Sequence, residues 1–164
     1  MIDDATTAVL SDDRLYRYFL CRDVGGEKIA GTCLFIMLNP STADEQTNDA
    51  TIRKCIGFAR LWGFTRLEVV NLYAYRATNP RRLFEVYAPI GDDNDQQILD
   101  AANRAKRIVC AWGNHGAVRG REIRGRLEDA HIPISVLGLT KRGEPKHPLY
   151  VPYSVKPTRW EYRP

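Results

Sequence analysis

Four short apolar runs, separated by segments of helical periodicity, constrain the fold of this chain more than any other feature. The runs are CLFIML (33–38), RLEVVNLYAY (66–75), RIVCAW (107–112) and ISVLGL (134–139). Such runs are typical of strands that are buried on both faces, as in a parallel sheet. Strands that alternate with helices predict right-handed crossovers and a mainly parallel central sheet, covered on both faces in a three-layer α/β/α arrangement.

The intervening segments carry helix signals. Apolar residues at 52, 55, 56 and 59 follow an Asn48-Asp49 cap, and they predict a helix that runs to about Trp62 and ends at Gly63. Acidic residues at 92–95 precede another helix, and a further helix is expected over about 117–129. Asn79-Pro80 predicts the start of a short helical turn.

The N-terminal part of the chain predicts a β-hairpin. Its strands would be about Leu15 to Cys21 and Thr32 to Leu38, joined through Gly25-Gly26 and Gly31. A chain of 164 residues is expected to form one domain. That domain would comprise the hairpin at about 15–38, an α/β core at about 32–152 and an extended C-terminal tail at 153–164.

Composition excludes several classes of protein. No apolar run approaches the length of a membrane span and no signal peptide is evident, which predicts a cytoplasmic protein that does not contact a membrane. The four cysteines form no C-x-x-C pair, so we expect buried, reduced thiols, no metal site and no cofactor. The G-x-S-x-G, P-loop and G-x-G-x-x-G motifs are absent, which argues against serine hydrolases, P-loop NTPases and dinucleotide enzymes.

Positive charge is concentrated in three clusters. The net charge is +4, and the clusters lie at 76–82, 119–126 and 141–146, each at or soon after a predicted strand end. A net charge of this size permits an anionic partner without requiring one. If the partner is a polyanion, the clusters should border the binding cleft.

Polar residues follow the predicted strands at their carboxyl ends, where ligands bind in parallel α/β sheets. Asn39 could position a water molecule or a ligand edge, and Pro40 would set the direction of its loop, although Asn-Pro is also common in simple turns. Asn71 interrupts an apolar strand, and its amide matches the edge of a nucleobase; a buried asparagine satisfied by backbone is the alternative. Asn114, His115 and His147 are expected at the same edge, where either histidine could act as a proton donor or acceptor.

The motifs LFIMLNPSTAD, TIRKCIGFARLWGF, EVVNLYAYRATNP, GDDND, AWGNHG and LGLTKRGEPKHPLY occur in this order. They resemble the 1643 family of domains of unknown function over about Leu34 to Pro152. The order strand-NP, strand-VVN, strand-AWGN and loop-HPL also resembles, more distantly, the uracil-DNA glycosylase superfamily. By position, that resemblance implies a water-positioning role for Asn39, base reading by Asn71 and a contact of His147 with the base carbonyl.

The glycosylase resemblance implies a metal-independent N-glycosidic hydrolase that acts on a base in nucleic acid or in a nucleotide, with DNA favoured over RNA. Asn39 and His147 would be catalytic, and the substrate would be bound by Pro40, Ser41, Asn71, Asn114 and His115. Aromatic residues that could stack on a base are Phe58, Tyr73, Trp112 and Tyr150. A non-catalytic module that binds a modified base, and an enzyme of free nucleotides, remain alternatives.

Overall fold

The computed structural model describes residues 6–25 and 29–162; Gly26, one of the three glycines predicted to join the hairpin strands, lies outside these ranges. The strands are β1 (Thr6–Leu10), β2 (Arg17–Asp23), β3 (Ile29–Met37), β4 (Phe64–Asn71), β5 (Arg107–Cys110), β6 (Ser135–Val136) and β7 (Thr158–Arg159). The helices are α1 (Ala50–Leu61), α2 (Asn94–Arg104) and α3 (Ala117–Asp129). Short 3₁₀ turns cover Pro80–Phe84, Asn114–Gly116 and Pro148–Tyr150. None of the helices in these ranges is long and apolar enough to cross a membrane.

The seven strands form one mixed sheet in the order β1-β2-β4-β3-β5-β6-β7. The four strands β4, β3, β5 and β6 are parallel to one another. The pairs β1–β2, β2–β4 and β6–β7 are antiparallel. The predicted parallel strands therefore form only the centre of the sheet, and antiparallel strands flank them on both sides.

The two strands predicted as a hairpin do not pair with each other. β2 pairs with β1 and β4, whereas β3 pairs with β4 and β5, so β4 lies between the two strands. The hairpin partner of β2 is β1, which the sequence pattern did not indicate. Within the C-terminal tail, β7 pairs with β6 at the opposite edge of the sheet.

Alternate residues of β3 contribute to two different apolar clusters. Cys33, Phe35 and Met37 pack with residues of α1, whereas Leu34 and Ile36 pack with residues of α2 and α3. This alternation is the side-chain period of a strand. It explains why β3 reads as a continuous apolar run: both of its faces are buried.

Helix α1 begins and ends where the sequence predicts. The side chain of Asp49 accepts a hydrogen bond from the backbone N–H of Ile52, and Asp49 is the N-cap. Gly63, two residues beyond the end of the helix, adopts a φ of 87°, which favours glycine. Local capping therefore places the N-terminus of α1 directly after the loop that leaves β3.

The order of the parallel strands reverses between β3 and β5. The chain passes from β3 through α1 to β4 on one side, then through α2 to β5 on the other side of β3. The two loops that leave β3 and β5 therefore diverge from neighbouring strand ends. Such a point opens a crevice in which ligands of α/β proteins bind.

Candidate functional site

A cleft of about 540 Å³ lies at the carboxyl ends of β3 and β5. It is lined by five segments of the chain: the end of β3 and the loop after it, the first turn of α1, residues 77–80, the turn after β5, and residues 147–150. Arg17 of β2 also lines it. The cleft thus occupies the point of strand-order reversal.

Arginine side chains hold the β3–α1 loop, residues 38–49, which forms one wall of the cleft. Arg17 donates to the carbonyl oxygen of residue 43 over 3.0 Å, and Arg76 donates to those of residues 41 and 42 over 3.1 and 3.2 Å. Arg22 donates to the carbonyl oxygens of residues 44 and 47. Charged donors satisfy carbonyl groups that no strand or helix could satisfy, which fixes the shape of the loop.

The side chain of Asn39 is held at the start of this loop. Its Nδ2 donates to the carbonyl oxygen of Ala77 over 2.8 Å and to that of Pro40 over 3.1 Å. Both partners are acceptors, so the orientation of the amide is determined by its neighbours. Among the described residues, no group donates to its Oδ1, which leaves this oxygen as an oriented acceptor on a residue that lines the cleft.

His147 lines the cleft as a half-buried neutral donor. Its Nδ1 accepts a hydrogen bond from the backbone N–H of Leu149 over 3.2 Å, which places the ring proton on Nε2. Burial lowers the pKa of His147 below its usual value, and the Asp49 carboxylate opposes that shift. The imidazole is therefore neutral at pH 7 and carries its N–H on Nε2.

Asp49 supplies the carboxylate of the cleft, a role that sequence reasoning missed because the residue was interpreted only as a helix cap. Its Oδ1 accepts from the N–H of Ile52 over 2.9 Å, and its Oδ2 accepts a longer bond of 3.4 Å from the N–H of Ala43. Asp49 lines the same cleft as Asn39 and His147. A helix N-cap position carries no sequence signal that its carboxylate also faces a ligand site.

Asn114 and His115 line the cleft from the turn after β5. The hydroxyl of Thr140 donates to Asn114 Oδ1 over 2.7 Å, and no partner for Asn114 Nδ2 is found among residues 6–25 and 29–162. Both side chains are exposed and line the cleft. Asn114 therefore presents an amide donor, the opposite of the acceptor that Asn39 presents.

Pro40 and Ser41 also line the cleft. Pro40 is buried, and its carbonyl oxygen accepts the backbone N–H of Ala77 over 2.9 Å. The hydroxyl of Ser41 shares a hydrogen bond of 3.1 Å with the hydroxyl of Thr78. These bonds tie the β3–α1 loop to residues 77–78.

Asn71 is not among the residues that line the cleft, contrary to its expected place there. It is 1% exposed and lies beside Met37 in the parallel pairing of β3 and β4, and Met37 does line the cleft. Both polar atoms of its amide are buried without a hydrogen-bond partner in the described part of the chain. The alternative, a buried asparagine whose amide is hydrogen-bonded to backbone groups, is therefore not observed among the described residues.

The chain matches the family model "Protein of unknown function (DUF1643)" over residues 17–149. It belongs to the DUF1643 family. The matched segment contains every residue that lines the cleft except Tyr150. No curated protein and no solved structure matches this chain, so its resemblance to the uracil-DNA glycosylases stays a prediction.

Of the four aromatic candidates for stacking, only Tyr150 is exposed at the cleft of this DUF1643 protein. It is 85% exposed, and its ring centroid lies 6.0 Å from that of His147. Phe58 and Trp112 belong to the apolar clusters, and Tyr73 packs against one of them. Trp112 still contributes to the floor of the cleft while its Nε1 donates to Glu144 over 3.0 Å.

Several residues of the basic clusters contact other side chains of the same protein. Arg119 pairs with Asp95 and Glu122, Arg126 pairs with the same two carboxylates, and the guanidinium of Arg124 lies 3.7 Å from the ring centroid of Trp160. None of the ten basic residues in the three clusters lines the cleft. Clusters 76–82 and 141–146 nevertheless adjoin cleft residues in sequence, at 77–80 and at 147.

The four cysteines are free and buried, as expected. Burial raises the pKa of each thiol, which keeps all four protonated at neutral pH. Within residues 6–25 and 29–162, no group of three His, Cys, Asp or Glu side chains is arranged to hold a metal ion.

Proposed function

We propose that this protein recognises a nucleobase in the cleft and hydrolyses its N-glycosidic bond, with a nucleotide or a base in nucleic acid as the substrate. The observation that carries the proposal is the pair of oriented groups in one cleft, the acceptor Asn39 Oδ1 and the neutral donor His147 Nε2–H. The proposal includes a three-layer arrangement of the uracil-DNA glycosylase kind and a cytoplasmic location.

The residue types suit this reaction. When the bond between the sugar C1′ and the base nitrogen breaks, its electron pair leaves with the base and water adds to C1′. A neutral imidazole N–H can stabilise the charge that develops on a base carbonyl, and an amide oxygen can orient the attacking water. The water finally loses a proton, which the Asp49 carboxylate in the same cleft can accept.

Base recognition would draw on two amides. Asn114 offers an amide donor with no partner among the described residues. Asn71 has both a donor and an acceptor unpaired, a rare state for a buried side chain that a polar partner would relieve. We propose that a base enters past Met37 and pairs its edge with Asn71, while Tyr150 covers its face.

One observation favours a second candidate, an enzyme of free nucleotides. Arg119 and Arg126 form ion pairs with Asp95 and Glu122, and the guanidinium of Arg76 donates hydrogen bonds to backbone carbonyl groups. Fewer cations then remain for the phosphates of a long polymer. Binding of an oligonucleotide that weakens steeply with salt would support the nucleic-acid substrate, since phosphate contacts release counterions.

The test begins with a screen of nucleosides, nucleotides and modified oligonucleotides for base release, read by mass spectrometry. Single-turnover rates and equilibrium binding are then compared for wild type, Asn39→Ala, His147→Ala and Asn71→Ala. We expect Asn39→Ala and His147→Ala to lower the rate by at least about a hundred-fold with little loss of binding, because both groups act mainly in the transition state. We expect Asn71→Ala to weaken binding by roughly 1–3 kcal/mol.

Asn103→Ala is the matched control, since Asn103 is exposed on α2 outside the cleft. Its rate and binding should equal those of wild type. A wild-type protein that binds a base tightly yet releases none, with binding unchanged in Asn39→Ala, would refute hydrolysis and support the binding-module alternative. Absence of binding to every compound in the screen would refute base recognition itself.

A further inference from the structure

Arg17 is a buried cation at the edge of the cleft that the proposed hydrolysis does not use. It is 1% exposed, it lines the cleft, and it has no carboxylate within 4.0 Å among the described residues. Its Nη1 donates to the carbonyl oxygen of Ala43, while its Nε is buried with no hydrogen-bond partner in the described ranges. A buried charge without a counter-ion is costly unless an anion compensates it.

Arg17 remains charged despite this burial. Burial lowers the pKa of its guanidinium to about 10, and the Asp49 carboxylate opposes the shift. A group with this pKa is protonated at pH 7. The cleft therefore contains a desolvated positive charge, which attracts an anion more strongly than an exposed arginine does.

The N-terminus of α1 reaches the same cleft. Ala50, Thr51 and Ile52 line it; the N–H of Ile52 donates to the Asp49 cap, and no acceptor for the N–H of Ala50 or Thr51 is found in the described part of the chain. The N–H groups of Ala50 and Thr51 lie in the first turn, where a helix offers no internal acceptor. Such groups, with the positive end of the helix dipole, bind anions.

Ala43 connects the two features. Its carbonyl oxygen accepts from Arg17, and its N–H donates to Asp49 Oδ2. The guanidinium and the first turn of α1 are thus joined through one residue of the β3–α1 loop. Opposing them is Asp49 itself, whose negative charge at the cap weakens the attraction for a second anion.

We propose that Arg17 and the first turn of α1, through the N–H groups of Ala50 and Thr51, form a binding subsite for a phosphate group attached to the substrate nucleoside. The inference rests on the proposed function only in taking the rest of the ligand to be a nucleoside. The phosphate could belong to a free nucleotide or to a nucleic-acid chain, and both present the same oxygen acceptors to the guanidinium.

The test uses inorganic phosphate as the probe and isothermal titration calorimetry as the measurement. We expect wild type to bind phosphate saturably and Arg17→Gln to bind it about ten- to hundred-fold more weakly, as expected for loss of hydrogen bonds from a charged donor. Arg53→Gln, which removes an exposed arginine from the same helix, should bind phosphate as wild type does. Equal losses in the two variants, or no saturable binding by wild type, would overturn the inference.

A second variant keeps the test decisive if Arg17→Gln does not fold. Asp49→Asn retains a good N-cap while it removes the competing negative charge, so it should bind phosphate several-fold more tightly. Asp129→Asn, at the exposed end of α3, should not change the affinity. An Asp49→Asn affinity equal to that of wild type would place the anion elsewhere and overturn the inference.

The source of the phosphate is decided by comparing ligands. Once the screen identifies a base, its nucleoside, its 5′-monophosphate and a dinucleotide containing it are titrated into wild type and Arg17→Gln. Loss of the monophosphate's advantage over the nucleoside in Arg17→Gln supports a free nucleotide, and loss of the dinucleotide's advantage supports a chain. If neither advantage depends on Arg17, the subsite does not serve the substrate, whereas base release in the screen would still support the proposed hydrolysis.

Discussion

Replacing Gly120 by alanine should destabilise this protein, although the same change inside an exposed helix usually stabilises. Gly120 lies within α3 against the indole of Trp112, which forms part of the cleft floor. A Cβ at residue 120 would lie 2.5 Å from Trp112 Cε2, 2.6 Å from Nε1 and 2.7 Å from Cζ2. These separations are too short for real atoms, so the ring or the helix must move.

The ring has little room to move. Trp112 is 2% exposed, its Nε1 donates to Glu144, and its ring packs against Trp160 with centroids 5.7 Å apart. Overpacking a core lowers the free energy of unfolding by about 1–3 kcal/mol. Three close contacts with a fixed ring favour the upper end, about 3 kcal/mol. Alanine regains about 1 kcal/mol of helix propensity. The free energy of unfolding should therefore fall by about 2 kcal/mol.

Gly125→Ala is the matched control, because a Cβ at residue 125 of the same helix meets no atom of the described residues within 4 Å. This variant should gain up to about 1 kcal/mol. Urea denaturation of both variants measures the difference, and the Tm of Gly120→Ala should fall by about 4–8 °C. Equal stabilities for the two variants would show that Trp112 yields easily, and that the floor of the cleft is not rigid.

Two further predictions concern charged groups. Burial lowers the pKa of His147 in the folded protein below its unfolded value of 6.5. As the pH falls, the histidine therefore takes up a proton in the unfolded chain before it does so in the folded one. The free energy of unfolding of wild type should decrease below about pH 6.5, and it should decrease less in His147→Gln. Parallel stability curves for the two proteins between about pH 5 and 8, the range in which histidine titrates, would contradict this. Arg104→Met removes hydrogen bonds to buried Glu68 and should cost about 1–3 kcal/mol in urea denaturation. Arg82→Met breaks an exposed pair with Glu85 and should cost less than about 1 kcal/mol; equal costs would show that burial of Glu68 adds nothing.

The helices and the central strands could be predicted because their signals are local. The Asp49 cap, the apolar period of α1 and Gly63 act within a few residues of one another, and the segment 117–129 matches α3 as the structure has it. Strand pairing is not local. β2 and β3 are neighbours in sequence, yet β4 lies between them because α1 returns the chain parallel to β3.

The sequence by itself indicated which polar residues follow the central strands, and the topology of parallel strands then brings Asn39, Asn114 and His147 to one cleft. Only the tertiary structure decided the burial and the partners of the groups around them. Asn71 is the last residue of β4 but lies outside the cleft lining, whereas Asn39 lies in the loop after β3 and lines the cleft. β2 pairs with β4, and Arg17 on β2 is a buried cation with no carboxylate within 4.0 Å in the described part of the chain. Desolvation and hydrogen bonding depend on atoms far apart in the chain, which is why no local pattern could reveal them.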